Sequence, residues 1–302
     1  MNRAVIVSFF DYGSSFQKVL YNFFLKHCLK WIGYVNKVYV VDSGFGINES
    51  PHYKIEIIKK PKQSHWQNMN EMIRQVSEPL LLLMDSDMII YNPEIIQIYF
   101  SALEECDDDI WTILDSSGGT CLGDKYPIMA ENKNRAERRR ICPYLCFLRR
   151  SILPHGFDFT PRGGENWTDS MGVITEQLLE KGIKIQELQD DRSTISLEDD
   201  GKITSCQWLD TPPKLWALQE NPNLGYYHIR NFGGGLKILD DKNFGLVPNR
   251  EARRLLAWVY ILALKTKSQE LIDNILNTFG NSNDSNDYIK QFEKYHSWLE
   301  KI

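Results

Sequence analysis

A chain of 302 residues, 42% hydrophobic and 12% aromatic, is a folded globular protein with a well-buried core and room for one large α/β domain with an appendage, the preferred reading, or for two modest domains. Its formal net charge of −5 excludes a molecule drawn as a whole to nucleic acid or anionic lipid. Its cysteines (Cys28, Cys106, Cys121, Cys142, Cys146 and Cys206) include no C-x-x-C pair and are too scattered for a disulfide framework, so reduced thiols are expected.

In chain order, Ala4 to Phe10, Lys37 to Asp42, Lys54 to Lys59 and Pro79 to Met84 read as strands, with helices from Ser14 to Trp31 and His65 to Val76 among them. That alternation predicts a mostly parallel sheet covered by helices. Asn92-Pro93 opens a helix reaching Glu105, and a strand from Ile110 to Leu114 follows. Residues 115–168, rich in Gly and Arg, read as irregular. Asp169 caps a helix through Lys181, which Gly182 ends before a strand from Ile183 to Leu188. Helical spacing returns from Glu251 to Thr278, and a last helix is expected from Tyr288 to Lys301. The expected division is a domain over 1–248 and a C-terminal helical extension over 249–302. The extension is expected to dock on the domain, with a dimer seam or a membrane-surface face as alternatives. The N-terminal apolar run is too short for a signal peptide, and no run reaches the ~20 residues of a membrane span. The expectation is a soluble cytoplasmic protein.

The strongest chemical signal is Leu80-Leu81-Leu82-Leu83-Met84-Asp85-Ser86-Asp87. Two carboxylates one residue apart at the end of a wholly apolar strand need a cation or protons to offset their desolvation. Oxygen ligands suit Mg²⁺ or Mn²⁺, which keep positions open for phosphate oxygens. A solvated turn after a buried strand is the plain alternative. Asp42, at the end of the second predicted strand, lies at another carboxyl end, where open α/β sheets bind ligands. It serves equally as an ordinary turn residue before Gly44.

Asp85-Ser86-Asp87, on the fourth strand, resembles the D-x-D motif of GT-A glycosyltransferases. The resemblance, family 2-like with some family 8-like features, covers roughly Arg3 to Lys237. It implies a GT-A fold, Rossmann-like, with a mostly parallel central sheet flanked by helices. It also implies transfer of a sugar from a nucleotide-sugar donor, a UDP-sugar in most of the family, with Mn²⁺ or Mg²⁺ as cofactor. On that likeness Asp87 is the direct metal ligand and Asp85 its partner on metal or ribose, while Asp42 and Asn70 of Gln67-Asn68-Met69-Asn70-Glu71 sit at donor-contacting positions. Thr168-Asp169 resembles the family 2 region that carries the general base, which implies Asp169 in that role and favours an inverting displacement, while the likeness to retaining family 8 enzymes keeps retention as the alternative. The segment Tyr227-His228-Ile229-Arg230 followed by Gly233-Gly234-Gly235-Leu236-Lys237 resembles the late metal-binding histidine and phosphate-covering end of many GT-A enzymes. His228 is then the third ligand, and Arg230 or Lys237 neutralises the leaving nucleotide; a packed core histidine is the competing reading.

The basic stretch from Lys133 to Arg150 (Arg135, Arg138, Arg139, Arg140, Arg149, Arg150) reads as a solvated face, or as an acceptor site for an anionic group. Glycan, lipid-linked and other hydroxyl acceptors remain open, with a nucleic-acid acceptor behind them. A haloacid-dehalogenase phosphatase carries its D-x-D on the first strand and is disfavoured. A nucleotidyltransferase needs a Gly-rich, Lys-bearing loop that is absent near Ser8 to Ser15. The non-enzymatic alternative is a GT-A-like domain that binds a sugar or a partner.

Overall fold

The apolar runs at Arg3–Phe10 (β1), Lys37–Ser43 (β2) and Leu80–Asp85 (β4) place the centre of the fold. Ala4 to Val7 and Leu80 to Met84 are at most 4% exposed, the profile of strands covered on both faces. The computed structural model describes residues 1–11, 13–14, 18–90, 92–115, 140–155, 158–160, 170–188, 193–197, 203–205, 218–221, 226–229, 263, 266–270 and 272–273.

The chain divides into two compact units. The first, Met1–Phe10 with Trp31–Asp85 and Glu94–Asp190, holds a seven-stranded sheet. Its remaining strands are β3 (Ile55–Lys60), β6 (Ile110–Asp115), β7 (Arg140–Arg149) and β8 (Ile185–Glu187). The spatial order is β3-β2-β1-β4-β7-β6-β8. β7 runs antiparallel to both its neighbours, and the other pairings are parallel. Helices α2 (His65–Gln75), α3 (Glu94–Glu105) and α4 (Ser170–Glu180) belong to the same unit. This is the expected GT-A-like architecture, a mostly parallel Rossmann-like sheet flanked by helices.

One face of the sheet buries Ala4 and Ile6 of β1, Leu81 and Leu83 of β4, and Cys146 and Leu148 of β7. They pack in one core with Met69, Met72 and Ile73 of α2 and Met171, Ile174 and Leu178 of α4. Each fully buried leucine there contributes about 1.5–3 kcal/mol relative to exposure. α4 ends as expected: Gly182 takes φ +69°, Ile183 N–H donates to the Leu178 carbonyl and Gly182 N–H to that of Leu179. That is a Schellman closure, for which glycine carries no Cβ penalty.

Three expectations change. The irregular stretch 115–168 contains β7, a central strand with Ile141, Leu145, Cys146, Phe147 and Leu148 all fully buried. Pro143 argues against a central strand. It is tolerated because the β6 pairing slips there: Thr112 opposes Cys146, whereas Leu114 opposes Ile141, so Pro143 falls within the irregularity, where no ladder N–H is required. The continuous helix expected from Glu251 to Thr278 is interrupted at Lys267, which takes φ +55°, while Ser268 N–H donates back to the Ala263 carbonyl. Finally, the second unit (Asp11–Lys30, Ser86–Pro93, Asp191–Ile302) contains an unforeseen antiparallel sheet. Besides β5 (Met88–Ile90) it has β9 (Ser193–Leu197), β10 (Ile203–Ser205), β11 (Leu218–Asn221) and β12 (Tyr226–Ile229), in the order β10-β9-β11-β12-β5. Helix α1 (Lys18–Trp31) falls almost wholly in this unit.

The boundary expected at 248/249 and the helix expected from Tyr288 to Lys301 lie outside the described residues. Among the described residues no helix is long and apolar enough to cross a membrane.

Candidate functional site

The chain leaves β1 for β2 and β3 on one side, then crosses to β4 on the other. β1 is therefore the topological switch point, beyond whose carboxyl end an open α/β sheet binds ligands. The register brings Asp42 beside Phe9 and Asp85 beside Ser8, so the two acids flank the end of β1.

Their environments differ. Asp42 is 3% exposed, and its carboxylate accepts the backbone N–H groups of Gly46 at 3.1 Å and Ile47 at 2.7 Å. Gly46 takes φ +87°, which lets the chain turn back over that carboxylate. Phe45 then packs edge-on against Phe9, ring centroids 5.4 Å apart. Asp42 thus organises the loop after β2. Asp85 closes a strand of buried apolar residues yet is only partly buried itself.

Asn70, expected at a donor-contacting position, is 8% exposed, and both ends of its amide are used within the protein. Its Oδ1 accepts from Phe159 N–H at 2.8 Å and its Nδ2 donates to Asp158 Oδ1 at 2.7 Å. The Asp158 carboxyl is pulled below its ordinary range, first by the Thr160 hydroxyl and also by Thr160 N–H, Asn70 and Arg74. The amide at the β2 edge belongs instead to Asn68, which sequence reasoning passed over. Fully buried, it donates from Nδ2 to Ser43 Oγ at 2.6 Å and to the Pro61 carbonyl at 3.3 Å, and accepts from Gln63 Nε2 at 2.7 Å. It binds the end of β2 to the segment entering α2.

Ser8 was passed over too. It is 8% exposed, and its Oγ has no hydrogen-bond partner, a state that costs about 1–3 kcal/mol unless something else supplies one.

In the second unit, partly buried Asp87 immediately precedes β5. β12 pairs antiparallel with β5, placing His228 opposite Met88, Tyr227 opposite Ile89 and Tyr226 opposite Ile90. Directly opposed Cα atoms in such a ladder lie about 4.5–5.5 Å apart, so the backbone of His228 stands beside the residue that follows Asp87. Among the described residues no three His, Cys, Asp or Glu side chains group as a metal site; the imidazole of His228 is outside that description. Asp169 lies just before α4 and outside the described residues, as do Arg230 and Lys237.

At the end of the basic stretch 133–150, two arginines bond backbone carbonyls. Arg149 Nε donates to the Asp108 carbonyl at 3.0 Å, and its Nη2 donates to the Cys106 carbonyl at 2.6 Å and to that of Leu103. A guanidinium on these carbonyls caps the carboxyl end of α3, where cations are favoured. Arg150 Nε donates to the Val76 carbonyl at 2.6 Å. These two arginines brace the sheet, because carbonyls left over at helix ends need donors. Arg135, Arg138 and Arg139 lie outside the described residues.

No protein-family model and no curated protein matches the chain. Among solved structures it is similar to Staphylococcus aureus TarS, at 13% identity over 99% of this chain and 92% of that one, TM-score 0.40. It is also similar to glucosyl-3-phosphoglycerate synthase from Mycobacterium tuberculosis, solved with Mn²⁺, UDP-glucose and phosphoglyceric acid. There the identity is 12%, over 62% of this chain and 68% of that one, with TM-score 0.37. A third likeness is to 4-diphosphocytidyl-2C-methyl-D-erythritol synthase from Anaerococcus prevotii, at 10% identity over 62% of this chain and 86% of that one, TM-score 0.40.

Proposed function

We propose that the chain is a metal-dependent glycosyltransferase that moves a sugar from a nucleoside-diphosphate donor, a UDP-sugar, to an acceptor hydroxyl on a glycan or lipid-linked molecule. The observation that supports this reading is the register of β12 on β5, which sets His228 beside the residue following Asp87. Asp85, Asp87 and His228 would then hold Mn²⁺ or Mg²⁺, since carboxylates with one imidazole suit such ions. When bound, the ion supplies charge neutralisation to the diphosphate.

The chain's own residues do the rest. Arg230 or Lys237 neutralises the departing nucleotide, and Asp169 takes the acceptor proton, because a sugar hydroxyl attacks poorly until that proton can leave. Asp42 and Asn70 act on the donor through the segments they brace, 42–47 and 158–160. A single displacement at the anomeric carbon inverts its configuration.

The test compares wild type with Asp87→Ala across a panel of nucleotide sugars with Mn²⁺, UDP-glucose among them, scoring released nucleoside diphosphate. Slow metal-dependent release from one donor is expected, with a loss of about 100-fold or more in the variant. Pyrophosphate release from a nucleoside triphosphate would make the chain a nucleotidyltransferase instead. Absence of any metal-dependent nucleotide binding would leave the non-catalytic, sugar- or partner-binding reading.

A further inference from the structure

Within the described part of the first unit's carboxyl edge, Ser8 has a buried polar side chain whose hydroxyl meets no partner. Its neighbours are provided for. The hydroxyl of Ser43 accepts from Asn68 at 2.6 Å, and the carboxylate of Asp42 accepts two backbone N–H groups. Strand alternation puts Ser8 on the face of Ala4 and Ile6, and Asp85 on the face of Leu81 and Leu83, which is the same face because all four belong to one core. The register sets Ser8 directly beside Asp85, on strands about 4.8 Å apart.

The chemistry of that pair is selective. A carboxylate only accepts, whereas a serine hydroxyl both donates and accepts. A group that fits between them must donate to Asp85 and exchange a hydrogen bond with Ser8. An alcohol does both; a phosphate oxygen has nothing to donate. Resting on the proposed donor site, we infer that Ser8 is a specificity-determining residue whose hydroxyl hydrogen-bonds a hydroxyl group of the bound nucleotide sugar, shared with Asp85. Two parts of such a donor carry alcohols, the ribose and the transferred sugar.

Calorimetric titration of wild type and Ser8→Ala with UDP, GDP and CDP in Mn²⁺, then with UDP-glucose and UDP-N-acetylglucosamine, separates these sources, and a melting curve accompanies each protein. The melting temperature of Ser8→Ala is expected to stay level or rise, because the substitution removes a polar group without a partner. Affinity is expected to fall about 3- to 10-fold, the worth of one hydrogen bond. A fall seen with the nucleoside diphosphate itself assigns the contact to the ribose; one seen only with a nucleotide sugar assigns it to the transferred sugar. Unchanged affinity for every ligand that wild type binds overturns the inference and leaves the proposed function standing. So does a melting temperature that drops by several degrees, which would mean the hydroxyl serves the fold. A wild type that binds no member of the panel overturns the proposed function and this inference with it.

Discussion

Asp42 and Asp85 end two strands that flank the same β1, yet the fold treats them oppositely. Asp42 is 3% exposed, with both carboxylate oxygens engaged by the loop it precedes. Asp85 stays partly exposed beside the unpartnered hydroxyl of Ser8. The same residue type at equivalent ends of one sheet is in one case part of the scaffold and in the other part of the rim. The lesson is that position at a carboxyl edge nominates a residue, and its burial separates scaffold from rim.

The largest expected effect breaks this contrast from the scaffold side. Asp42→Ala leaves the N–H groups of Gly46 and Ile47 without their acceptor in a loop whose Phe45 and Ile47 are buried. Removing two charge-assisted hydrogen bonds is expected to destabilise by about 2–4 kcal/mol, read as a lower urea midpoint or a melting temperature lowered by roughly 5–10 °C. Asp85→Asn is expected to stay within about 1 kcal/mol of wild type while weakening metal-dependent nucleotide binding. Equal losses of stability would erase the distinction between the two acids.

Arg149→Lys is the next largest. Lysine keeps the charge but loses the planar fork that reaches three carbonyls at the end of α3. A loss of about 1–3 kcal/mol is expected in the same unfolding measurement, with ligand binding unchanged, because this cation belongs to the scaffold as Asp42 does.

The four-strand start of the sheet was legible because β1, β2 and β4 are apolar runs bounded by polar residues and β3 carries Ile55, Ile57 and Ile58. β7 was not. Arg140 and Arg149 bracket it and Pro143 interrupts it, so its Leu145-Cys146-Phe147-Leu148 core read as a short apolar patch inside a basic loop. What makes Arg149 part of the scaffold is a set of carbonyls more than 40 residues away in sequence. Likewise, Asn68 and Asn70 are two residues apart, roughly 200° around a helix. One therefore meets the end of β2 and the other the 158–160 segment, and choosing between them requires knowing which face of α2 covers the sheet. The Asp85-Ser86-Asp87 signal was readable because its oddity lies in the sequence itself, carboxylates after a wholly apolar strand. Ser8 carries no such oddity, since its significance is a missing partner, which only the packed structure reveals. The left-handed turn at Lys267 was equally silent, because no glycine marks it.

A third carboxylate, Glu104 on α3, sharpens the comparison with the smallest effect. It bonds the Arg3 guanidinium at 2.9 Å and the N-terminal ammonium at 2.7 Å, and those bonds, that of Arg3 first, hold its pKa down at about 2 against an ordinary value of 4.5. A folded-state pKa below the unfolded one means the stabilisation is complete above about 4.5 and is lost as the pH falls toward about 2. The Glu104 side chain is 23% exposed, so solvent screening limits the pair to about 1 kcal/mol or less. Glu104→Gln is therefore expected to cost little at pH 7 and to flatten the acid limb of a stability-against-pH curve, with added salt narrowing the difference from wild type. Asp42→Ala, by contrast, removes bonds to buried N–H groups and is expected to keep its deficit at high salt. A Glu104→Gln deficit that also persisted in salt would place this carboxylate with Asp42 in the scaffold.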